Sequence, residues 1–566
     1  MHRIVQAHLD NFTKSFGLDS YPQDVQFEIF ANKAILTSYI CTDFEFDDVT
    51  TSQADDGTDG IAVIIDEELC VSPEEAITIF SSPRRNHDVD IIFIQSKTGE
   101  SFDLGDFLKF KESVLKFINI ENNYDASDEL QINARRIFDI VIKNVPKIRD
   151  GKPKLYAKYV NTGVYRKPKE LENAKKRFSS EVDESGFFSE INIDFIDRET
   201  LTKLWINTYS NVNAELPTFS WAPLPSINGI DEAYLAVVKA EDYVKNLLLT
   251  DDGSLRGHVF FENVRSFLGI DNNVNAKIAE TIKSKEAASR FPVLNNGITI
   301  VSPDVRVQNN NIHLENYQIV NGCQTSNVLY ECREFLDSNI MLNLKIVETS
   351  NEDVFSELVR ATNSQTKVDE NQFLSLKPIA KKVEAYFDSF DGQDARLYLE
   401  RRDRQFAGRD IPAIRIFPLN LAVKCVASVF FRRPDLAYRY PQRMYELLAG
   451  KIFSDDIKEV IFYTSCLALY RFNLLTSNAD IPQNIRKYKW HIIAIACILV
   501  AGSDLPKPNT KKMETYCNKI ISKFSKHDAE VVNIFKRAAN LVLEIDELSD
   551  DKMKRQSTLE EIISDI

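Results

Sequence analysis

The sequence predicts a multidomain α/β protein: an N-terminal α/β domain, a central α+β domain and an all-α C-terminal region. Three observations predict it. Up to about residue 205, apolar runs of strand length alternate with helix-period segments. Through the middle of the chain, asparagine-rich turns separate further apolar runs. Beyond about residue 425 apolar residues recur with helical spacing, as in WHIIAIACILVAG and AEVVNIFKRAANLVLEI. At 566 residues the chain is too long for one core. The boundaries read as 1–125, 126–205, 206–425 and 426–566, with the charged residues from Asp546 onward fraying.

Composition narrows the class. Apolar residues at 44% and charged residues at 27% are those of a globular chain. No run approaches the ~20 apolar residues that span a bilayer, and the start, MHRIVQAHLD, has no apolar signal core. The expectation is a cytoplasmic protein with no membrane partner. The eight cysteines show no CxxC and no regular spacing, so they read as buried reduced thiols. No HExxH and no GxxxxGK[ST] occur, which argues against a zinc site and a Walker-type ATPase. The net charge of −15 counts against a simple nucleic-acid-binding protein.

In chain order, the first element is a helix, VQFEIFANKAILTSYI, carrying Glu28. Next, Asp59 stands at the mouth of the strand Ile61-Ala62-Val63-Ile64-Ile65. A helical insertion follows, opened by Ser72-Pro73-Glu74-Glu75, which has capping-box spacing with proline at the first helical position. A second strand, Val89 to Ile94, delivers Gln95-Ser96-Lys97, and an amphipathic helix runs from about Asp103 to Phe117. Alternation along the strand puts Gln95 and Lys97 on one side and Ser96 on the other. An acid from one strand then meets an amide and an ammonium from its neighbour. Such a group suits phosphodiester hydrolysis: Mg²⁺ or Mn²⁺ takes oxygen ligands and keeps several waters, and a nearby lysine orients a water or neutralises phosphate. In the bland alternative Lys97 is a strand-end lysine and Asp59 a turn acid.

The Gly-Thr-Asp-Gly-Ile and Ile-Gln-Ser-Lys segments resemble the PD-(D/E)xK restriction-endonuclease-like nucleases, most of all the Mrr branch, in which Gln replaces the usual acid of the third motif. The resemblance implies a restriction-endonuclease-like fold for 1–125 and a metal site of Asp59 and Gln95 with Glu28 on the preceding helix. It also implies Lys97 as the residue that positions the attacking water, and DNA as the substrate.

Residues 126–205 read as the helix ELQINARRIFDIVIKNV, the strand KLYAKYVNTG, the helix KELENAKKRFSSEV and the strand FSEINIDFID. They extend the first sheet or form a connector. Charge is uneven here. Lys143 to Arg177 holds twelve Lys and Arg, Lys152 and Lys154 among them, against three acids, whereas residues 1–60 hold three bases and eleven acids. A second basic cluster joins Arg396, Arg401, Arg402, Arg404 and Arg409. Both clusters suit nucleic-acid binding along a phosphate backbone, and both suit a solvated face equally.

In 206–425, FPVLNNGITIV reads as a hairpin around Asn295-Asn296-Gly297. A turn at Asn309-Asn310-Asn311 leads into IHLENYQIV, and the chain passes through Asn321-Gly322 into the helix CQTSNVLYECREFL. The strand MLNLKIVET follows, then a helix NEDVFSELVRATN capped by Ser350 with Asp353. Past the polar elbow Asn363-Ser364-Gln365-Thr366 comes the helix DENQFLSLKPIAKKVEAYF. Several segments resemble the AIPR family, abortive-infection phage-resistance proteins of bacteria. They are Asn263-Val264-Arg265 with Leu268-Gly269, Asn295-Asn296-Gly297-Ile298-Thr299, Val320-Asn321-Gly322-Cys323-Gln324-Thr325, Arg360-Ala361-Thr362-Asn363-Ser364-Gln365-Thr366, and Tyr398 with Glu400-Arg401-Arg402. The resemblance implies prokaryotic antiviral defence, often with a nuclease-like N-terminal region. The order of elements is also similar to the partition protein ParB, which implies nucleotide binding near Gly322. Here Gln324 and Thr325 stand where a basic residue would grip phosphate. Asn321, Gly322, Gln324, Thr325, Asn363 and Gln365 thus form a ligand site or a buried amide network.

The expected protein is a defence nuclease dependent on Mg²⁺ or Mn²⁺, cutting DNA, with RNA as the alternative to DNA, and restrained or targeted by its central domain. Alternatively it is a non-catalytic nucleic-acid-binding or nucleotide-sensing module. A homodimer fits cleavage of two strands, and a phage-derived trigger or a defence-operon partner fits the restraint a toxic nuclease needs.

Overall fold

A computed structural model describes residues 1–566 except 41–43, 52–56, 83–85, 121–123, 125, 127, 210–211, 251–252, 254, 261–269, 271, 364–376, 391–395, 402–404, 407–408, 455, 546–547 and 565–566. It has two compact units. One comprises residues 1–36, 42–205 and 373–566, the other residues 37–41 and 206–372. Among the described residues no helix is long and apolar enough to cross a membrane. The seven described cysteines are buried and none is in a disulfide among the described residues.

The first unit opens with helices α1 (Arg3–Phe16) and α2 (Gln23–Leu36) and then builds a five-stranded sheet in the order β2-β1-β3-β4-β5. Its strands are β1 (Gly60–Ile65), β2 (Glu68–Leu69), β3 (Val89–Lys97), β4 (Lys154–Asn161) and β5 (Glu190–Ile196). β1 runs antiparallel to β3, with Gly60 opposite Ile94; β3, β4 and β5 are mutually parallel, with Lys97 beside Asn161. Residues 126–205 therefore extend the first sheet. All six residues of β1 are buried, because helices cover both faces. Ile61, Val63, Ile91 and Phe93 join one apolar core with Phe107, Phe110 and Phe117 of α4 (Leu104–Ile118) and Phe138 of α5 (Glu129–Lys143), while α2 packs against β3. Between β2 and β3 the insertion helix α3 (Pro73–Ser81) starts where expected. The Ser72 hydroxyl accepts from the Glu75 amide, and Glu75 reaches back to the Val71 amide. Helix α6 (Lys169–Glu184) makes the β4–β5 crossover and α7 (Arg198–Tyr209) follows β5.

The second unit has a three-stranded sheet, β10-β11-β6, and a five-stranded sheet, β12-β9-β13-β8-β7. Its strands β6 (Asn213–Pro217), β7 (Ser220–Pro223) and β8 (Glu232–Lys239) precede four helices, α8 (Ala240–Tyr243), α9 (Asn273–Lys283), α10 (Lys285–Ala288) and α11 (Phe291–Leu294). The hairpin expected around Asn295-Asn296-Gly297 does not form. α11 stands in place of its first strand, because Pro292 suits a first helical turn, and Asn295 then accepts from the Gly297 amide to turn the chain into β9 (Ile298–Ser302). The turn at Asn309-Asn310 does join an antiparallel pair, β10 (Asp304–Gln308) and β11 (Asn311–Glu315). IHLENYQIV is not one strand: Asn316, at φ 46°, sends β12 (Gln318–Asn321) into the other sheet. After α12 (Cys323–Glu331) and β13 (Met341–Glu348), helix α13 (Glu352–Asn363) is capped by Asn351 rather than Ser350. The Asn351 side chain accepts from the Asp353 and Val354 amides.

The chain re-enters the first unit at 373, where the sequence drew its boundary near 425. The helix expected over DENQFLSLKPIAKKVEAYF is described only as α14 (Pro378–Asp388), with residues before 377 outside the described set. After the pair β14 (Tyr398–Glu400) and β15 (Ile416–Pro418) the rest is helical: α15 (Leu419–Val429), α16 (Pro434–Arg439), α17 (Pro441–Ile452), α18 (Glu459–Ser477), α19 (Lys489–Ala501), α20 (Lys511–Phe524), α21 (Ala529–Leu543), α22 (Asp550–Met553) and α23 (Gln556–Ser564). α18 and α19 are buried on nearly every side, as helices apolar all round must be.

Candidate metal-binding site at the end of the first sheet

The site assembles from one strand entry and one strand exit. Asp59 precedes β1, and its amide donates to the Ile94 carbonyl of β3 at 2.8 Å, which fixes it beside the last residues of that strand. One oxygen, Oδ2, then collects three donors: Gln95 Nε2 at 2.8 Å, the Ser96 amide at 2.7 Å and the Ser96 hydroxyl at 3.1 Å. Ser96 was not singled out in the sequence, because alternation turns it away from Gln95 and Lys97. Its amide lies in the strand itself, however, and the carboxylate sits over the strand end where both faces are reached.

Glu28 lies on α2, and four residues on, one helical turn away, is Asn32. The Asn32 amide nitrogen donates to the Asp59 carbonyl at 3.2 Å and to the Thr50 hydroxyl at 3.0 Å, docking the helix on the Asp59–Gly60 corner. A side chain at 60 would prevent this, since a Cβ there would fall 2.4 Å from Asn32 Oδ1. The sequence reading missed Asn32, and its only signal is the i, i+4 spacing from Glu28.

Electrostatics tie the four candidates together. Burial, then the Asp59 and Asp24 charges, push Glu28 up to about 8 against the pull of Lys97. Burial also raises Asp59, opposed by its Ser96 and Gln95 hydrogen bonds and by Lys97. The Asp59 charge thus disfavours ionisation of Glu28. Gln95 is 2% exposed and its Oε1 has no hydrogen-bond partner among the described residues. An orphan of this kind costs about 1–3 kcal/mol unless something meets it.

These residues fit a hard divalent cation. The donors are all oxygen, a cation would favour the ionised form of both carboxyls, and Gln95 Oε1 is a buried acceptor with no partner among the described residues. Among the described residues no three His, Cys, Asp or Glu groups converge as a metal cage. Mg²⁺ needs none, because it keeps waters and uses substrate phosphate.

The other candidates lie elsewhere. Lys152 is exposed, and Lys154 opens β4 beside Asp90, seven strand positions or roughly 23 Å from the Lys97–Asn161 end. Arg396 and Arg401 are engaged within the first unit. Arg396 caps α14, donating to the Phe387, Asp388 and Phe390 carbonyls, and Arg401, 6% exposed, is ion-paired to Glu384 at 2.7 Å. Buried polar atoms need such partners, and Arg401 finds one in Glu384. Arg402 and Arg404 lie outside the described residues.

In the second unit Gly322, at φ 100°, opens α12. Gln324 accepts from Asn275 at 2.9 Å and Thr325 accepts from Asn295 at 3.1 Å, so both side chains at the helix start are engaged by protein amides. Asn321 ends β12, the Asn363 side chain and Gln365 lie outside the described residues, and Asn275 and Asn295 are partners the sequence reading did not name.

A family model described as AIPR protein matches residues 260–564, just over half of the chain. No curated protein and no solved structure matches it.

Proposed function

Because the chain belongs to the AIPR protein family, we propose that it is an antiphage defence protein whose N-terminal site hydrolyses phosphodiester bonds with a divalent cation. The Asp59 environment carries this reading: a buried carboxylate gripped by Gln95 and Ser96, a second acid held unfavourably beside it, and the orphaned Gln95 oxygen. Asp59 would hold Mg²⁺ or Mn²⁺ with help from Gln95 and Glu28. When bound, the cation lowers the pKa of a coordinated water and offsets charge on the phosphate. Lys97, whose positive charge acts on both Glu28 and Asp59, orients the water and neutralises a phosphate oxygen. Among nucleic acids DNA is the proposed substrate, on the resemblance of the Asp59 and Gln95-Ser96-Lys97 segments to nucleases that cut DNA.

The test is cleavage of supercoiled plasmid, linear duplex, single-stranded DNA and RNA in Mg²⁺, Mn²⁺ or EDTA, with Asp59→Ala and Lys97→Ala in parallel. Metal-dependent cutting that falls at least ~100-fold in both variants is expected, as for loss of a group that stabilises the transition state. Cutting by either variant at the wild-type rate would remove the assignment.

A further inference from the structure

The family-matched region reaches the segment beside the N-terminal site. Lys489, with a 6% exposed side chain, lies 2.8 Å from Glu45 and 3.9 Å from Asp47, and Arg439 lies 3.4 Å from Asp48. Arg486 donates to the Tyr21 hydroxyl at 3.4 Å, just ahead of α2. Against the cost of burial, the Lys489 and Lys424 charges hold Glu45 down at about 2.

The clamped segment then lies alongside the candidate ligand. After the Phe46–Asp48 turn, Val49 is fully buried and accepts from the Ile61 amide at 3.0 Å. Thr50 bridges to Gly60, and the Thr51 amide donates to the Asp59 carbonyl at 3.1 Å. The Thr51 hydroxyl donates to the Thr58 carbonyl at 2.7 Å. Thus Asp59 is held on one side by β3 and on the other by the segment 49–51, whose near neighbours Glu45 and Asp48 are anchored by Lys489 and Arg439 of the C-terminal helices.

We propose that Lys489 and Arg439 are positioning residues for Asp59, so that the C-terminal helices of the family region set the cation affinity of the N-terminal site. The cation part rests on the nuclease reading above; the positioning part does not. Groups behind a ligand commonly change metal affinity about 10–100-fold when removed, because they fix the ligand's orientation rather than its identity.

Full-length wild type, Lys489→Met, Lys489→Arg, Arg439→Met, Glu45→Gln and Asp59→Ala would be compared by Mn²⁺ titration calorimetry and by residue-resolved amide exchange. Lys489→Met and Arg439→Met should weaken Mn²⁺ binding about tenfold and speed exchange of the Thr51 and Ile61 amides, leaving Ile91–Phe93 protected. Lys489→Arg should restore both, and Glu45→Gln, the mildest change, should move both the same way. Unchanged exchange at Thr51 and Ile61 in the folded variants would overturn the positioning role. So would a loss of protection spread evenly over the sheet. If Asp59→Ala binds Mn²⁺ like wild type, the cation site is wrong, and exchange alone decides the positioning. If Asp59→Ala abolishes binding while Lys489→Met, Arg439→Met and Glu45→Gln bind normally, the coupling fails and the cation site stands.

Discussion

At the scale of single residues, burial and partnership decide what an ionisable group does. Lys489 is buried and positively charged because Glu45 and Asp47 face it; for His491, two residues on, burial outweighs the Met553 backbone contact that opposes it. His491 is fully buried beside the Tyr438 ring, and burial depresses it to about 3. The unfolded chain binds that proton near the ordinary histidine value of about 6.5 while the native state refuses it. Stability therefore falls as pH drops from about 6.5 to 3, by about 1.4 kcal/mol per unit from this group. A His491→Phe protein that still folds should lose that part of the slope in denaturant titrations run at pH 7, 5.5 and 4.5. An identical slope in both proteins would mean that His491 is protonated in the native state.

At the scale of elements, the end of β3 is shaped by the end of β4. Asn161 donates to the Ser101 carbonyl at 3.0 Å, and the Thr162 hydroxyl reaches the Thr98 and Gly99 carbonyls at 3.1 and 2.7 Å. The turn that follows Lys97 is thereby tied to its parallel neighbour. Gly163 closes the contact, since a Cβ there would fall 1.8 Å from the Glu100 carbonyl oxygen. Backbone cannot yield as a flexible side chain can, so Gly163→Ala should shift the 98–101 turn and cost about 1–3 kcal/mol. In the cleavage assay it should lower the rate without altering the metal requirement. Unchanged melting and unchanged cleavage would show that the turn does not hold Lys97. The sequence revealed β3, β4 and the Gln95-Ser96-Lys97 exit through apolar runs and alternation. It did not reveal the clamp, because Asn161, Thr162 and Gly163 read only as a strand end.

At the scale of the whole molecule, the sequence suggests four successive domains and the chain forms two compact units. The first sheet and the C-terminal helices share one unit although more than 150 residues separate them in sequence. Ser477 bonds to the Gly17 carbonyl, Ser20 to the Thr476 carbonyl at 3.1 Å and Ser72 to the Arg439 carbonyl at 3.1 Å. A fragment of residues 1–205 would expose this surface and take from Glu45 and Asp48 their partners Lys489 and Arg439. It should melt well below the full chain or aggregate, and coexpression with 373–566 should rescue it. A fragment as stable alone as in the full chain would mean that the shared surface contributes little.

The sequence by itself determined the periodic elements, the family, and Glu28, Asp59, Gln95 and Lys97 as one candidate group. Such features are written locally: a period of 2 or 3.6, a capping serine before a proline, a motif within a few residues. Only the tertiary structure decided that Ser96 and Asn32 hold Asp59, that Arg396 and Arg401 are engaged within the first unit, and that Lys489 and Arg439 grip the segment beside the site. Those roles depend on which polar groups meet after apolar burial has drawn distant segments together. Pairs such as Glu45 and Lys489, far apart in the chain, leave no periodic trace from which to read them.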